Sequence, residues 1–341
     1  MSQLEKPPQF IAEISANHLG SLDRAKDLVR AAADAGATYV KFQTYTAETM
    51  TLNHKNFAVS DDHELWGGRT LYSLYEEAHT PWEWHAELFD LARSLGITPF
   101  SSPFDLTAVD FLEELNVELY KIASLETGDF RLIRKVAETG KPIIISTGAT
   151  EYEEIRELVN VVRETGNLNL TLLVCTSSYP SRPLDAHLRR IETLKEDFGL
   201  QVGLSDHTLG IGVSLAAITL GASIIEKHLT LRRSDGGADG AFSMEPGEFG
   251  QLVREGTSAY DSLGSAKWQM QASEQESRRL KRSLFIVKDV KAGEKISNEN
   301  VRAIRPNGGF PPKHLDSLIG KRFNADLVAG TPMSFNFVDK D

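Results

Sequence analysis

The sequence predicts an α/β protein whose larger part is a (β/α)8 TIM barrel. Short apolar runs alternate with helical segments about eight times between residues 10 and 262. Each run ends in polar side chains, as FIAEIS does before Asn17 and His18, and as QVGLS does before Asp206 and His207. A TIM barrel has this form because its active site is built from the loops at the carboxyl ends of eight parallel strands, over about 250 residues.

The elements follow one another in strand–helix order. The first strand, at residues 10–15, precedes a helix that Ser21 can cap and Gly36 ends. Further short runs predict strands, and apolar positions at helical spacing predict the helices between them. The strands are predicted at residues 38–44, 97–100, 118–124, 142–146, 170–175, 201–205 and 222–228, and the helices at 82–96, 107–115, 130–140, 152–166 and 212–221. This alternation indicates a parallel sheet with right-handed crossovers.

A doubly wound open sheet is the structural alternative to the barrel. That fold typically carries a G-x-G-x-x-G fingerprint after its first strand. Here the first strand is followed by ANHLGS, which does not fit the fingerprint. The closed barrel is therefore the fold that we predict.

The pattern changes in three segments outside this alternation. Residues 44–67, which include Trp66, and the glycine-rich residues 231–245 form long connections, and either could be a lid over the site or a plain surface loop. Residues 1–263 are predicted as the catalytic barrel and the polar residues 264–281 as a linker or an exposed helix. Residues 282–341 contain short strands and turns and could hold only a marginal core alone, so we expect them to dock on this barrel or on a partner's.

Charge and cysteine content exclude some classes of protein for this chain. The net charge of −11 over 341 residues argues against a general nucleic-acid binder. Residues 282–341 carry a balance of +3 and the remainder −14, which suggests two modules with different tasks. Cys175 is the single cysteine, so a disulfide framework is excluded and a core thiol in a reducing compartment is indicated. The sequence has no apolar run suited to a signal peptide or a membrane span, so we expect a cytoplasmic protein without a membrane partner.

Two histidines end neighbouring strands of the predicted barrel. His207 follows the seventh strand and His228 ends the eighth, so both imidazoles can point into one mouth. A histidine pair with nearby oxygens suits a divalent transition metal. Asp206 and Glu226 are candidates to orient the two rings. The alternative is that each histidine only satisfies local hydrogen bonds.

Lysines, hydroxyls and carboxylates converge on the same end of the strands. A lysine inside a barrel is costly to bury unless it meets an anion, so this set predicts a phosphate or carboxylate site. The set comprises Lys41, Lys121 and Lys227, the hydroxyls of Ser102, Ser124, Ser146 and Ser205, and the carboxylates Glu13 and Glu126. The alternative for each lysine is an outward position between helices, and Glu13 could be a structural anchor. A G-x-S-x-G elbow and a Walker phosphate loop are both absent from the sequence.

At this point the motifs resemble those of the sialic acid synthase family. AEISANHLGS, VKFQTY, FSSPFD, YKIASLE, ISTGAT, CTSSYP, GLSDHT and EKH occur in the family's order through the whole barrel. SLFIVKDVKAGEKI and AIRPNGG resemble the small antifreeze-like (SAF) domain that ends those enzymes. The resemblance covers nearly all of the chain and implies a TIM barrel followed by a SAF domain.

The resemblance also implies a reaction and a set of site residues. Enzymes of this family condense phosphoenolpyruvate with an N-acetylated amino sugar aldehyde and release phosphate. The resemblance implies a divalent metal at His207 and His228, Mn²⁺ first, with Mg²⁺ or Co²⁺ as alternatives. It implies phosphoenolpyruvate contacts from Lys41, Ser102, Lys121, Ser124, Ser146, Ser177 and Ser205, and sugar contacts from Asn17, Gln43, Tyr179, Asp239 and Arg305. Some relatives carry Asn at Ser177 and Thr at Ser102. Arg305 would reach the site of a neighbouring subunit in a domain-swapped homodimer.

One position and two segments favour a particular branch of the family. The neuraminate branch has an acidic residue that contacts the hexose where this chain has Leu19. TPWEWH and LWGGRTLYSLYE resemble the branch that makes pseudaminic acid, the flagellin sugar, from 2,4-diacetamido-2,4,6-trideoxy-L-altrose. We expect His207, His228, Lys121 and Glu126 to be catalytic, with Glu126 handling the proton of the attacking water.

Three alternatives remain open from the sequence. The enzyme could make legionaminic or N-acetylneuraminic acid instead. It could be an aldolase with Lys121 as a Schiff-base nucleophile. Outside catalysis, the chain could be a sugar-binding or ice-binding protein on an inactive barrel.

Overall fold

The chain forms two compact units in the computed structural model, which describes residues 6–59 and 68–339. The first unit ends at Gly264 and the second begins at Ser265. Residues 265–281, predicted as a linker, therefore belong to the second unit and contain one short helix. Trp66, in the first of the long connections, lies outside the described residues.

The first unit is the predicted TIM barrel. Eight parallel strands close in sequence order, with β1 paired to both β2 and β8. The strands are β1 Gln9–Glu13, β2 Tyr39–Thr44, β3 Thr98–Pro103, β4 Tyr120–Ile122, β5 Ile143–Ser146, β6 Leu170–Cys175, β7 Gln201–Ser205 and β8 Ile224–His228. The fold class is confirmed.

Helices connect these strands and bury one apolar face each. The helices of the first unit are α1 Leu22–Asp34, α2 Ala47–Met50, α3 Leu71–Ala78, α4 His85–Ser94, α5 Leu106–Glu114, α6 Phe130–Glu138, α7 Tyr152–Glu164, α8 Arg190–Phe198, α9 Gly212–Thr219 and α10 Pro246–Leu263. The Ser21 hydroxyl caps α1 by accepting a hydrogen bond from Arg24 N, as predicted. Helices α2, α3, α8 and α10 were not among the predicted helices, although Ile191, Leu194 and Phe198 of α8 are buried at helical spacing.

Period-two alternation along the strands divides the barrel interior into two layers. The lower layer is an apolar cluster of Ile11, Phe100, Leu119, Ile144, Leu173 and Ile224. Gly203 completes it, because a Cβ there would lie 2.7 Å from the Leu173 side chain. Two residues further along each strand, the inward positions become polar: Glu13, Ser102, Ser146, Ser205 and Glu226. The barrel is therefore closed below by the apolar layer, which we call the plug, and polar above it.

The second unit is small and has its own core. Its antiparallel strands are β9 Ser283–Ile286 and β10 Val301–Ile304, and its helices are α11 Gln275–Arg279 and α12 Leu315–Leu318. The core comprises Leu284, Ile286, Val290, Ile296, Val301, Leu318, Phe323, Met333 and Val338. Among the described residues of both units, no helix has the length and apolar character needed to cross a membrane.

Candidate active site

A cavity of about 280 Å³ opens at the carboxyl ends of the barrel strands. Active sites of TIM barrels lie at this end. The structure brings most of the predicted site residues to it. The predicted residues that line it are Lys41, Gln43, Lys121, Ser124, Glu126, Ser146, Tyr179, Ser205, His207, His228 and Asp239.

Buried charges form the floor of the cavity. Lys41 Nζ lies 2.5 Å from Glu13 Oε2 and 3.6 Å from Glu226 Oε2, and all three side chains are buried. Gln43 Nε2 donates to Glu13 at 3.0 Å, and Ser205 Oγ donates to Glu226 at 2.8 Å. Burial raises the pKa of Glu13 to about 7, against the opposing effect of Lys41. Glu226 keeps a lowered pKa, because Lys121 and Lys41 outweigh its burial.

Lys121 is a buried cation with neutral hydrogen-bond partners. Its Nζ donates to Ser146 Oγ at 2.6 Å and to the Ile122 carbonyl at 2.9 Å. Burial lowers its pKa, although Glu226 acts in the opposite direction. A buried charge that contacts no counter-ion is costly. Binding of an anionic ligand next to Lys121 would reduce that cost.

A glycine leaves room for a hydroxyl-lined recess beside Lys121. A Cβ on Gly148 would collide with Ser177 Oγ and lie 2.9 Å from Ser124 Oγ. Gly148 N donates to Ser124 Oγ at 3.1 Å. Glycine allows this close approach of backbone and hydroxyls, an arrangement suited to a small anion with several oxygens.

The two predicted metal-binding histidines lie side by side. Their ring centroids are 5.3 Å apart. His207 Nδ1 lies 3.0 Å from the Thr176 carbonyl oxygen, so it carries the proton and leaves Nε2 as an acceptor. His228 Nδ1 is buried without a hydrogen-bond partner and lies 3.6 Å from Asp239 Oδ2. Burial and the neighbouring His207 lower the pKa of His228, which keeps its ring neutral.

This donor set fits a divalent transition metal with open coordination positions. Neutral imidazole is the form that binds metal, and an unpartnered buried ring nitrogen is an atom that a cation would satisfy. Burial opposes charge on His207, but its contacts with Cys175 and Thr176 raise its pKa. Within residues 6–59 and 68–339 no group of three or more His, Cys, Asp or Glu side chains is arranged for a metal. Substrate or water oxygens would therefore complete the coordination.

Three predictions about the charged residues after β7 and in β8 are wrong. Lys227 points outward, where its Nζ donates to Asp206 Oδ2 at 3.1 Å and to the Thr208 carbonyl at 2.6 Å. The cause is strand alternation, because Glu226 faces the cavity and the next residue must face away. Asp206 accepts bonds from Thr208, Ser214 and Lys227 instead of a histidine ring. Glu226 bonds Ser205 and not a ring.

Glu126 lies in the cavity with a free carboxylate oxygen. Its Oε2 is buried and has no hydrogen-bond partner. Burial raises its pKa to about 7, partly offset by Lys121. A carboxyl group with this pKa can exchange a proton near neutral pH.

Other predicted residues lie elsewhere in the structure. Asn17 is fully buried outside the cavity lining, and its amide donates to the Leu229 carbonyl at 2.9 Å and to Ser243 Oγ at 2.8 Å. Ser102 pairs in register with Gln43, and its Oγ is buried without a partner. Arg305 is exposed on the second unit.

Leu19 is also outside the cavity lining. Its side chain, 40% exposed, contacts Gly237 in the loop after β8. Arg24 anchors that loop by an ion pair of 2.7 Å with Asp235. Leu19 therefore packs against the loop that carries Asp239.

Sequence reasoning missed the apolar side of the cavity. This side includes Tyr45, Met50, Phe104 and Leu125, together with one face of α3. The apolar spacing within LYSLYEEA was a signal that could have revealed it.

The fold and the cavity together define a (β/α)8-barrel enzyme with its active site above the plug. Residues 28–268 match the model of the NeuB family, and residues 281–338 match that of the SAF domain. The chain belongs to the NeuB family.

Named relatives span almost the whole chain. It is 43% identical over 336 residues to pseudaminic acid synthase of Helicobacter pylori, covering 98% of this chain and 99% of that protein. It is 41% identical to pseudaminic acid synthase of Campylobacter jejuni, covering 96% and 95%. An N-acetylneuraminic acid synthetase structure from Leptospira borgpetersenii, solved with citrate, superimposes with a TM-score of 0.72 at 34% identity, covering 80% of this chain and 90% of that one.

Proposed function

We propose that this enzyme condenses phosphoenolpyruvate with 2,4-diacetamido-2,4,6-trideoxy-L-altrose and water to give pseudaminic acid and phosphate. One observation carries the proposal: the buried cations Lys41 and Lys121 lie in the same cavity as the His207 and His228 pair. A cationic recess beside a metal-binding pair suits an enol phosphate beside an aldehyde. The identity of 41–43% to three pseudaminic acid synthases supports the choice of sugar.

Phosphoenolpyruvate fits the recess beside Lys121. Its phosphate and carboxylate together carry up to three negative charges. Lys121 offers a buried cation whose hydrogen-bond partners are neutral, and Lys41 offers a second one that it shares with Glu13 and Glu226. Hydroxyl donors at Ser124, Ser146, Ser177 and Ser205 surround the same recess, and Ser102 lies beside Gln43. Fixed donors of this kind hold a substrate in position, so much of the rate gain would come from orientation.

The reaction forms one carbon–carbon bond and breaks one carbon–oxygen bond. The methylene carbon of phosphoenolpyruvate attacks the aldehyde carbon, which leaves an alkoxide on the sugar. Water adds to the enol carbon and gives one proton to Glu126, which passes it to the alkoxide. The resulting intermediate expels phosphate with its bridging oxygen, and the proton of its new hydroxyl leaves with the phosphate as the 2-keto group forms. A divalent cation at His207 and His228, Mn²⁺ before Mg²⁺ or Co²⁺, would polarise the aldehyde oxygen as a Lewis acid.

The sugar extends from the histidines past polar side chains. Gln43, Tyr179 and Asp239 line the cavity on the path away from the floor. Tyr179 stacks obliquely on His207 with ring centroids 4.4 Å apart, so it borders the aldehyde position. These groups would orient the sugar hydroxyls and acetamido groups.

A homodimer is the assembly that we propose. Arg305 from the second unit of one chain would reach the cavity of its partner. The opposite charge balances, +3 for residues 282–341 and −14 for the rest, favour such an association. We place the reaction in the cytoplasm, as a supply of nonulosonic acid for glycosylation of flagellin.

Phosphate release tests the proposed reaction. The enzyme would be stripped with a chelator and assayed with phosphoenolpyruvate and each of three precursor sugars, for pseudaminic, legionaminic and N-acetylneuraminic acid. We expect phosphate release with the altrose precursor when Mn²⁺ is restored, and little without it. Preferred turnover of another precursor would change the substrate, and no phosphate release with any sugar would refute the synthase.

A further inference from the structure

One face of α3 forms an apolar wall on the cavity. Leu71, Leu74, Tyr75 and Ala78 line the cavity, at spacings of three, four and seven residues from the first. Side chains at these spacings lie on one face of a helix. We call this set the α3 wall. The exposed Glu76 and Glu77 lie on the opposite face, so the helix turns its apolar side to the cavity.

Aromatic contacts hold the α3 wall in place. The ring of Tyr45 meets the rings of Tyr75 and Phe104 edge-on, with centroids 5.7 Å and 5.2 Å apart. Trp82 Nε1 donates to the Tyr45 carbonyl at 3.2 Å. The wall is therefore preformed, since its position is fixed from the strand side as well as from the helix.

A histidine anchors the far end of α3. His18 is fully buried, and its Nδ1 accepts a hydrogen bond from Gly20 N at 3.1 Å. Nε2 then carries the proton and donates to Thr80 Oγ1 at 3.3 Å, two residues after α3 ends. Burial lowers the pKa of His18 to about 4, so the ring stays neutral and the bond persists at neutral pH.

The inward side chains of β2, together with Tyr45 directly after the strand, connect the charged floor to the α3 wall. Lys41 lies in the floor, Gln43 comes two residues later, and Tyr45 comes two residues after that, against the wall. The lining thus changes from cation to amide to aromatic ring over four residues. A sugar whose aldehyde lies at His207 and His228 and whose chain passes Gln43 would reach Tyr45 and the α3 wall.

We infer that the α3 wall binds the C6 methyl end of the amino sugar and selects it over a C6 hydroxyl. The inference rests on the proposed function and assigns the residues that set its specificity. The methyl end is the apolar end of the proposed substrate, and the aliphatic members of the wall, Leu71, Leu74 and Ala78, have no side-chain group that could hydrogen-bond a hydroxyl. A hydroxyl placed there would lose its water without replacement, and an apolar pocket rejects such a group by about a hundredfold at most.

Leu19 does not explain this selection by direct contact. Its side chain lies against Gly237 and outside the cavity lining. The residue type at position 19 therefore acts on the loop after β8, while the α3 wall contacts the sugar.

Two wall variants and one matched control test the inference. Leu74→Asn and Ala78→Ser each add a polar group to the wall, and Glu76→Gln changes the exposed face of the same helix. The measurement is kcat/KM for the altrose precursor divided by kcat/KM for its counterpart with a hydroxyl on C6. We expect each wall variant to lower this ratio at least tenfold and the control to keep it within twofold of the parent enzyme.

The outcomes separate this inference from the proposed function. A parent enzyme that releases no phosphate with the altrose precursor refutes the function itself. An active parent whose ratio stays within twofold in both wall variants overturns the role of the wall. Thermal unfolding of both variants shows whether each one folds. Ala78→Ser is the smaller change, so it alone tests the inference if Leu74→Asn does not fold. An unchanged KM for phosphoenolpyruvate shows that the floor is intact.

Discussion

Two buried ion clusters on opposite faces of the barrel strands differ in how completely they are neutralised. The inner cluster, Glu13, Lys41 and Glu226, faces the cavity. The outer cluster, Asp206 and Lys227, faces away from it. In the inner cluster the Oε2 atoms of Glu13 and Glu226 have no partner other than the shared Lys41 ammonium. In the outer cluster the Lys227 ammonium makes three hydrogen bonds.

This difference indicates that the inner cluster, which faces the cavity, serves function and that the outer cluster serves stability. Buried polar groups in a folded protein are normally satisfied, so the outer cluster needs no further partner. Lys121, beside the inner cluster, has only neutral hydrogen-bond partners, so it is a buried cation with which an anionic ligand can pair. Replacement of residues in the inner region should therefore affect turnover, and replacement in the outer region should affect stability.

Loss of a metal-binding histidine should have the largest effect. His228→Ala and His207→Ala are each expected to lower kcat by more than about a thousandfold, because the Lewis acid would lose half of its protein ligands. Metal content after dialysis into Mn²⁺ should fall in parallel, while thermal unfolding stays cooperative. Full activity in a metal-free preparation would contradict the assignment of these two histidines.

Replacement of Lys121 should come next. Lys121→Met is expected to lower kcat/KM for phosphoenolpyruvate by about a thousandfold, or about 4 kcal/mol. The free energy of unfolding should change little, because the cost of burying a cation is removed together with its attraction to Glu226. Urea unfolding measures this quantity. A large loss of stability would mean that Lys121 is structural, and trapping of a pyruvate imine by borohydride would indicate the aldolase alternative.

Lys227→Met is the matched change on the outer side. It leaves the Asp206 carboxylate buried without its cation, so we expect a loss of about 3 kcal/mol or more in unfolding free energy. The kcat of the folded fraction should stay within severalfold of the parent value. A variant that unfolds like the parent but has lost turnover would overturn the distinction between the two clusters.

The pH profile should report on Glu126. Its pKa of about 7 predicts that kcat/KM rises about fivefold between pH 6 and 7, as the carboxylate becomes the base that accepts the proton of water. Glu126→Gln should remove this inflection. The raised pKa also means that the folded state holds the proton more tightly, so this group's contribution to stability is lost as the pH rises toward 7. Since Glu13 has a similar pKa, persistence of the inflection in Glu126→Gln would assign it to Glu13.

Arg305→Ala should have the smallest effect on turnover. We expect a rise of about tenfold in the sugar KM, the size of one lost charge-assisted contact, with no change in the KM for phosphoenolpyruvate. Mixing this variant with a His228→Ala variant would restore some activity if Arg305 acts in the partner's site. Unchanged kinetics would refute the swapped assembly.

The fold could be predicted because strand and helix periods are local properties of the sequence. The eight strands and the ends that carry His207 and His228 follow directly from that pattern. The outward position of Lys227 could also have been predicted, since Glu226 and His228 on either side of it point inward. The ion partners of the buried charges could not be predicted, because Glu13 and Lys41 meet only after β1 and β2 pair in register. The α3 wall could not be predicted without first predicting helix α3 and the direction in which its apolar face points.

The plug described above has a kinetic consequence. Because the barrel interior is closed beneath the charged floor, both reactants must pass through the same opening. In the proposed complex the enol phosphate would occupy the deeper position, so an amino sugar that arrives first would block its path. Binding should therefore be compulsory in order, with the three-carbon acid first, and excess sugar should act as a dead-end inhibitor.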